Sequence, residues 1–163
     1  MQLPEPGALA PDFDLPSDGP KPIRLSAFQG ENVALFFYPK DDTTACTAEA
    51  IDFNRLRAKF KAAGTRLVGV SPDSPRSHEK FKAKHSLKIA LASDEARTAC
   101  EAYGVWREKS LYGRKYMGVL RTTWLIDREG RVAARWDNVK VAGHADAVLA
   151  AAKALNEGVL AIP

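Results

Sequence analysis

Val33-Ala34-Leu35-Phe36-Phe37-Tyr38 runs into Pro39-Lys40-Asp41-Asp42-Thr43-Thr44 and then Ala45-Cys46-Thr47-Ala48-Glu49-Ala50, and the rest of the chain is organised around that junction. The continuous apolar run closed by proline is the pattern of a short strand buried on both faces. From about Thr44 to Ala63 the apolar residues Ala50, Phe53, Leu56, Phe60 and Ala63 recur at helical spacing. Arg55, Arg57, Lys59 and Lys61 cover the other side and Gly64 supplies a stop, which predicts one amphipathic helix. Upstream, residues 1 to about 20 carry Pro4, Pro6, Pro11, Pro16 and Pro20, which suits an extended N-terminal strap rather than a helix.

Downstream, Arg66-Leu67-Val68-Gly69-Val70-Ser71 reads as a second buried strand. Ser74-Pro75 then gives an N-cap and a first-turn proline for a helix through about Lys84. Ala90-Leu91-Ala92 is a short strand, Ser93 or Asp94 caps the next helix, and Gly104 ends it; a glycine-interrupted stretch follows to Gly118. Thr122 to Asp127, a turn at Arg128-Glu129-Gly130, and Arg131 to Trp136 predict a hairpin, and an Ala-rich helix from about His144 to Asn156 closes the chain. This order implies an α/β domain spanning 1–163, a central mixed sheet flanked by helices. A thioredoxin-like fold fits it, and on periodicity alone so does a small flavodoxin-like sheet.

Composition narrows the function classes. Of 163 residues 45% are apolar and 27% charged, ordinary for a soluble domain of about 45–50% and 25%. The net charge of +4 is spread among interleaved acids and bases, so no nucleic-acid surface is expected. The longest apolar runs, Val33 to Tyr38 and Ala147 to Ala152, fall far below the roughly 18 residues of a membrane span. No secretory signal is visible, and a cytoplasmic location is expected. Two cysteines make at most one bridge, which excludes a disulfide scaffold and points to thiols in a reducing compartment. No phosphate- or dinucleotide-binding glycine pattern is present, and His78 and His85 lack a ligand-spaced partner, so they read as surface histidines; no cofactor or metal is expected.

Cys46 falls in the first turn of a helix that follows the carboxyl end of a strand, where open α/β sheets place their sites. Unpaired N–H groups and the helix dipole favour an anion there and, with cationic neighbours, lower a thiol pKa from about 8.5 into the ~3.5–7.5 range. The competing reading is a small buried apolar residue in register with Ala50 and Phe53. A cysteine hydrolase needs a histidine base that spacing does not nominate among His78, His85 and His144. A disulfide reductase needs a cysteine where Glu49 stands.

Pro39, Thr43 and Cys46 reproduce a Pro-x-x-x-Thr-x-x-Cys signature that resembles the peroxiredoxins. Tyr38-Pro39-Lys40-Asp41, Cys46-Thr47, Glu49-Ala50, Val68-Gly69-Val70-Ser71, Arg121-Thr122-Thr123-Trp124-Leu125-Ile126-Asp127 and Lys140 to His144 are similar to the peroxiredoxin Q, or bacterioferritin comigratory protein, branch, over nearly the whole chain. The resemblance implies a thioredoxin-like fold and a thiol peroxidase for hydrogen peroxide and organic hydroperoxides. It makes Cys46 the peroxidatic nucleophile, with Thr43 and Arg121 holding thiolate and peroxide. Pro39 would shape the loop and Glu49 orient Arg121. Thioredoxin, glutaredoxin or a low-molecular-weight thiol would be the reductant, and a monomer is expected. Taken singly, Thr43 reads as an N-cap, Pro39 as a strand stop, Glu49 as a first-turn acid and Arg121 as a surface charge. A peroxide-sensing relay acting through mixed disulfides is the reading from another class.

The chain departs from that family at three places. Thr44-Ala45 replaces Pro-Gly, which implies a first turn that opens less readily. The two positions where relatives place a resolving cysteine align with Ile51 and Lys82. Cys100 remains, on an apolar helix face with Ala96, Ala99 and Tyr103. It is either a buried structural cysteine or the partner in a Cys46–Cys100 disulfide; in the former case the enzyme is of the one-cysteine type. Tyr38 and Trp106 are candidates to line the peroxide pocket.

Overall fold

The computed structural model describes residues 2–160. The strap carries β1 (Asp14–Leu15), which pairs with β2 (Ile23–Arg24), and a 3-10 turn at Leu25–Phe28 leads to β3 (Asn32–Phe37). There follow α1 (Thr44–Arg55), α2 (Arg57–Ala62), β4 (Thr65–Ser71), α3 (Pro75–His85) and β5 (Ala90–Ser93). The second half comprises α4 (Thr98–Ala102), β6 (Trp106–Leu111), β7 (Arg114–Val119), β8 (Thr122–Ile126), β9 (Val132–Trp136) and α5 (His144–Asn156).

Every residue of β3 is buried, as its unbroken apolar run requires, and β3 is the middle strand of a sheet ordered β5-β4-β3-β8-β9. β4 and β5 join it in parallel through helical crossovers, whereas β8 and β9 add antiparallel. Alternate side chains of β3 feed two separate cores. Ala34, Phe36 and Tyr38 pack with Cys46 and Phe53 of α1, Phe60 of α2, Phe81 of α3 and Val148 of α5. Val33, Leu35 and Phe37 pack with Trp124 of β8, Cys100 of α4, Tyr103 and the strap residues Phe13 and Leu15. Gly69 sets the first layer: a Cβ there would lie 2.7 Å from the Phe36 ring. That ring instead lies across β4 and stacks on Phe53 at 4.6 Å, seating α1 on the sheet.

Two predicted elements are corrected. The helix expected over 44–63 breaks at Leu56, where the Arg57 guanidinium donates to the Asn54 carbonyl at 2.9 Å; the apolar stripe survives because Phe53, Leu56 and Phe60 all stay buried. The glycine-interrupted stretch is a β6–β7 hairpin closed by Tyr112 and Gly113, both at positive φ, a two-residue loop matching the twist of the strands. Most of its side chains are exposed, so it leaves no apolar alternation to read. The strap is extended as expected and is held by backbone acceptors: Trp124 Nε1 donates to Pro4 O and Tyr103 Oη to Pro11 O. Among the described residues no helix is long and apolar enough to cross a membrane.

Candidate active site

β3 ends beneath the site. The register that sets Phe37 opposite Thr122 places Arg121 beside the strand's exit at Tyr38, and the loop from Pro39 returns the chain to the N-terminus of α1. The first intrahelical bond of α1 runs from Thr47 N–H to Thr43 O, so the N–H groups of Thr44, Ala45 and Cys46 point toward the helix mouth without helical acceptors. Cys46, the third helical residue, is 2% exposed and free.

Arg121 reaches the same point from the other side. Its Nη2 donates to Cys46 Sγ at 3.2 Å and its Nη1 to Glu49 Oε1 at 2.6 Å. Cys46 and Glu49 are three apart on α1 and therefore share the face that Arg121 bridges. Burial pushes the Glu49 carboxyl up to about 7 against the opposing pull of Arg121, and its Oε2 has no hydrogen-bond partner among the described residues. Breaking such a buried pair by removing one member costs roughly 3–5 kcal/mol, because the other charge is left uncompensated. His144, the first residue of α5, bonds Thr123 Oγ1 through Nε2 at 2.8 Å; burial, helped by Arg121, lowers it to about 4, so it is neutral at the site's edge.

The structure thus brings together Cys46 and Glu49 of α1 with Arg121, which lies 75 residues beyond Cys46 in the chain. Thr43 occupies the N-cap position, yet its hydroxyl donates to Lys40 O at 2.9 Å and makes no capping bond. Pro39 is half-buried at the end of β3. Ile51 is exposed, and Lys82 is ion-paired to Asp18 at 3.1 Å. Cys100 is separate from this group, since it belongs to the core on the other face of the sheet. Burial and Asp94 drive its thiol far above the ordinary range, away from the reactive thiolate. Trp106 packs with the core that contains Cys100, under the Arg97 guanidinium at 4.7 Å.

Sequence reading missed a polar network behind the loop. His78 is fully buried, not superficial; its Nδ1 is 2.7 Å from Asp41 Oδ2 and its Nε2 is 3.0 Å from Ala92 O. Tyr38 Oη and Ser77 Oγ both donate to Asp41, whose own N–H donates to Asp73 Oδ2. Asp42, at φ 61°, is tied to Lys84 and His85. These bonds pin the loop between Tyr38 and Thr43 onto α3. The only sequence sign was His78 lying one turn before Phe81 on the apolar side of its helix. Asp41, Asp73 and His78 bring candidate ligand atoms within 4.8 Å, but those atoms are already engaged with one another and with neighbouring donors.

Residues 6–135 match the AhpC/TSA family. The chain is 42% identical over 151 residues to the peroxiredoxin Bcp of Bacillus subtilis, covering 93% of this chain and 96% of that protein. The solved structure of Xanthomonas campestris peroxiredoxin Q superposes with a TM-score of 0.86 at 43% identity, over 95% of this chain and 98% of that one. A structure from work on alkyl peroxide reduction by the bacterioferritin comigratory protein of the same organism gives a TM-score of 0.86 at 42% identity, over 96% and 99%. With its thioredoxin-like α/β sheet and a cysteine at a helix mouth under an arginine, the chain belongs to the AhpC/TSA family as a peroxiredoxin of the Q, or Bcp, branch, a thiol peroxidase.

Proposed function

We propose that Cys46 is the nucleophile that reduces hydrogen peroxide and organic hydroperoxides, the alkyl class already associated with the Xanthomonas protein. The observation that carries this reading is the 3.2 Å contact from Arg121 to the Cys46 sulfur at the mouth of α1. A guanidinium and free helical N–H groups converge on one sulfur, which attacks the O–O bond as the thiolate. Arg121 keeps a fixed fork toward the reacting atoms because Glu49 holds its other nitrogen. Thr43, whose proton is committed to Lys40 O, presents oxygen lone pairs that accept a hydrogen bond from the peroxide O–H and align the terminal oxygen with the sulfur. Pro39 bounds the loop without adding a competing N–H donor.

Recycling of the Cys46 sulfenic acid proceeds without Cys100 in this reading. The two sulfurs lie in cores on opposite faces of the sheet, so a bridge would need β3 and its neighbours to part, whereas a disulfide requires Cα atoms about 4.4–6.8 Å apart. An external thiol, whether thioredoxin, glutaredoxin or a small thiol, then attacks the sulfenic acid directly. The reading takes the chain as one domain, supported by the single five-stranded sheet shared by both cores, and as a cytoplasmic monomer. Peroxide consumption with each reductant in turn tests it: Cys46→Ser abolishes turnover and Cys100→Ser leaves it within about twofold. A peroxide-treated wild type that loses two hydrogens, with the loss abolished by Cys100→Ser, overturns the recycling route. Stoichiometric sulfenylation without turnover supports a sensor instead.

A further inference from the structure

The reaction requires a proton that Arg121 and Thr43 do not supply. When the O–O bond of an alkyl hydroperoxide breaks, a strongly basic alkoxide departs. Arg121 stabilises negative charge but does not give up a proton in a protein, and the Thr43 proton is held by Lys40 O. The β6–β7 hairpin brings a further cation to this place. Lys109 pairs with Tyr116 and Arg107 with Gly118, so Lys109, Tyr116 and Gly118 share one face of the ribbon. The Lys109 stem lies across Gly118: a Cβ there would sit 3.2 Å from its Cδ and 3.4 Å from its Cε, so the missing side chain makes the seat. β7 ends at Val119, Leu120 leads directly into Arg121, and the Leu120 N–H to Val105 O bond at 2.8 Å closes the base of the ribbon. The seat draws the Lys109 stem along the ribbon toward its base, where Arg121 follows, and the ammonium interacts electrostatically with both Arg121 and the Cys46 sulfur. It is half-buried, and among the described residues it has no hydrogen-bond or ion-pair partner.

We propose that Lys109 is the general acid of the peroxidase reaction, protonating the oxygen that leaves when Cys46 attacks. The proposal rests on Cys46 being the nucleophile. The thiolate electron pair forms an S–O bond to the terminal peroxide oxygen as the O–O bond breaks. Sulfur is oxidised to the sulfenic acid, which keeps the peroxide's own proton. The second oxygen leaves with the bonding pair, takes a proton from the Lys109 ammonium and departs as an alcohol, and the neutral amine recovers its proton from water. Burial, followed by Arg121, holds the ammonium below the usual lysine range while the Cys46 sulfur opposes this, and the net lowering makes it a better donor.

The test varies the leaving group. tert-Butyl hydroperoxide expels a basic alkoxide that needs a proton, whereas peracetic acid expels acetate, which does not. Lys109→Met, which keeps the stem and removes the charge, is expected to slow tert-butyl hydroperoxide reduction by roughly 10- to 100-fold and peracetic acid reduction by less than about threefold. Lys109→Gln is the second variant, used with circular dichroism to confirm that the hairpin is folded, and is expected to show the same ordering. Equal losses on both substrates, or none on either, overturn the proposal. Cys46→Ser, run alongside, loses both activities; if it retains them, the assignment of the nucleophile fails and not merely that of the acid.

Discussion

Cys46 and Cys100 occupy the same local position and have opposite surroundings. Each is the third residue of its helix, and each is buried against the central sheet. At the mouth of α1 the nearest charge is the Arg121 guanidinium, which donates to the sulfur. At the mouth of α4 it is Asp94, whose carboxylate takes the N–H groups of Ala99 and Cys100 and the Thr98 hydroxyl. Both arrangements place a sulfur at a helix end, one under a guanidinium and one where an aspartate already accepts the end's N–H groups. A helix N-terminus offers a place for one negative charge, and at α4 Asp94 already fills it, whereas at α1 no carboxylate does.

Removing the guanidinium breaks the contrast most severely. Arg121→Met is expected to lower the rate constant for peroxide reduction by roughly 10²–10³-fold, the scale of losing a donor to developing charge, as read by stopped-flow consumption of hydrogen peroxide. Cys100→Ser measured beside it stays near the wild-type rate. A comparable loss in both variants erases the distinction drawn between the two helix mouths.

The two sides also differ in how they respond to acid. His144, beside Arg121, stays neutral in the fold down to about pH 4, because burial and the cation disfavour its charged form, while an unfolded histidine protonates near 6.5. The stabilisation is complete above the unfolded value and is lost as pH falls through that window. After allowance for solvent screening it amounts to about 2 kcal/mol. Urea unfolding between pH 7 and 4 should show this slope in the wild type and a flatter one in His144→Gln. Equal slopes assign the acid sensitivity elsewhere.

Capping sharpens the comparison on a smaller scale. Asp94→Ala is expected to cost about 1–2 kcal/mol in urea unfolding, since three donors lose their acceptor. Thr43→Ala, at a cap position with no side-chain capping bond, costs less than about 0.5 kcal/mol while reducing peroxide turnover. The smallest effect belongs to the first turn of α1. Thr44→Pro with Ala45→Gly is expected to raise the thiol-dependent recycling rate by at most about fivefold, the equivalent of the ~1 kcal/mol helix preference of alanine over glycine. An unchanged rate shows that opening of this turn does not limit recycling.

Much of this architecture is legible in the chain. The β3 run, the Ser74-Pro75 cap, whose Oγ accepts from Ser77 N–H at 3.1 Å, and the span of α5 all appear where periodicity and capping place them, because each depends on neighbours within one turn or one strand. The β6–β7 hairpin was not legible: its strands are largely exposed and its Tyr112-Gly113 turn is not a common turn pair. His78 is not legible because a lone polar residue on a helix looks solvated until Asp41, 37 residues earlier in the chain but adjacent in space, gives it a partner.

The sequence by itself determined the helix mouth at Cys46, the strand that leads to it, and the absence of thiols at positions 51 and 82, since these are properties of residue type and short-range spacing. Only the tertiary structure decided which charge meets each cysteine and which face of the sheet each occupies. Both depend on β-strand register: β8 alignment brings Arg121 to Cys46, and the alternation of β3 side chains sends the two thiols into different cores. Electrostatic interaction falls with distance through space rather than along the chain, so a contact spanning 75 residues of sequence sets the charge beside Cys46 that composition and periodicity leave open.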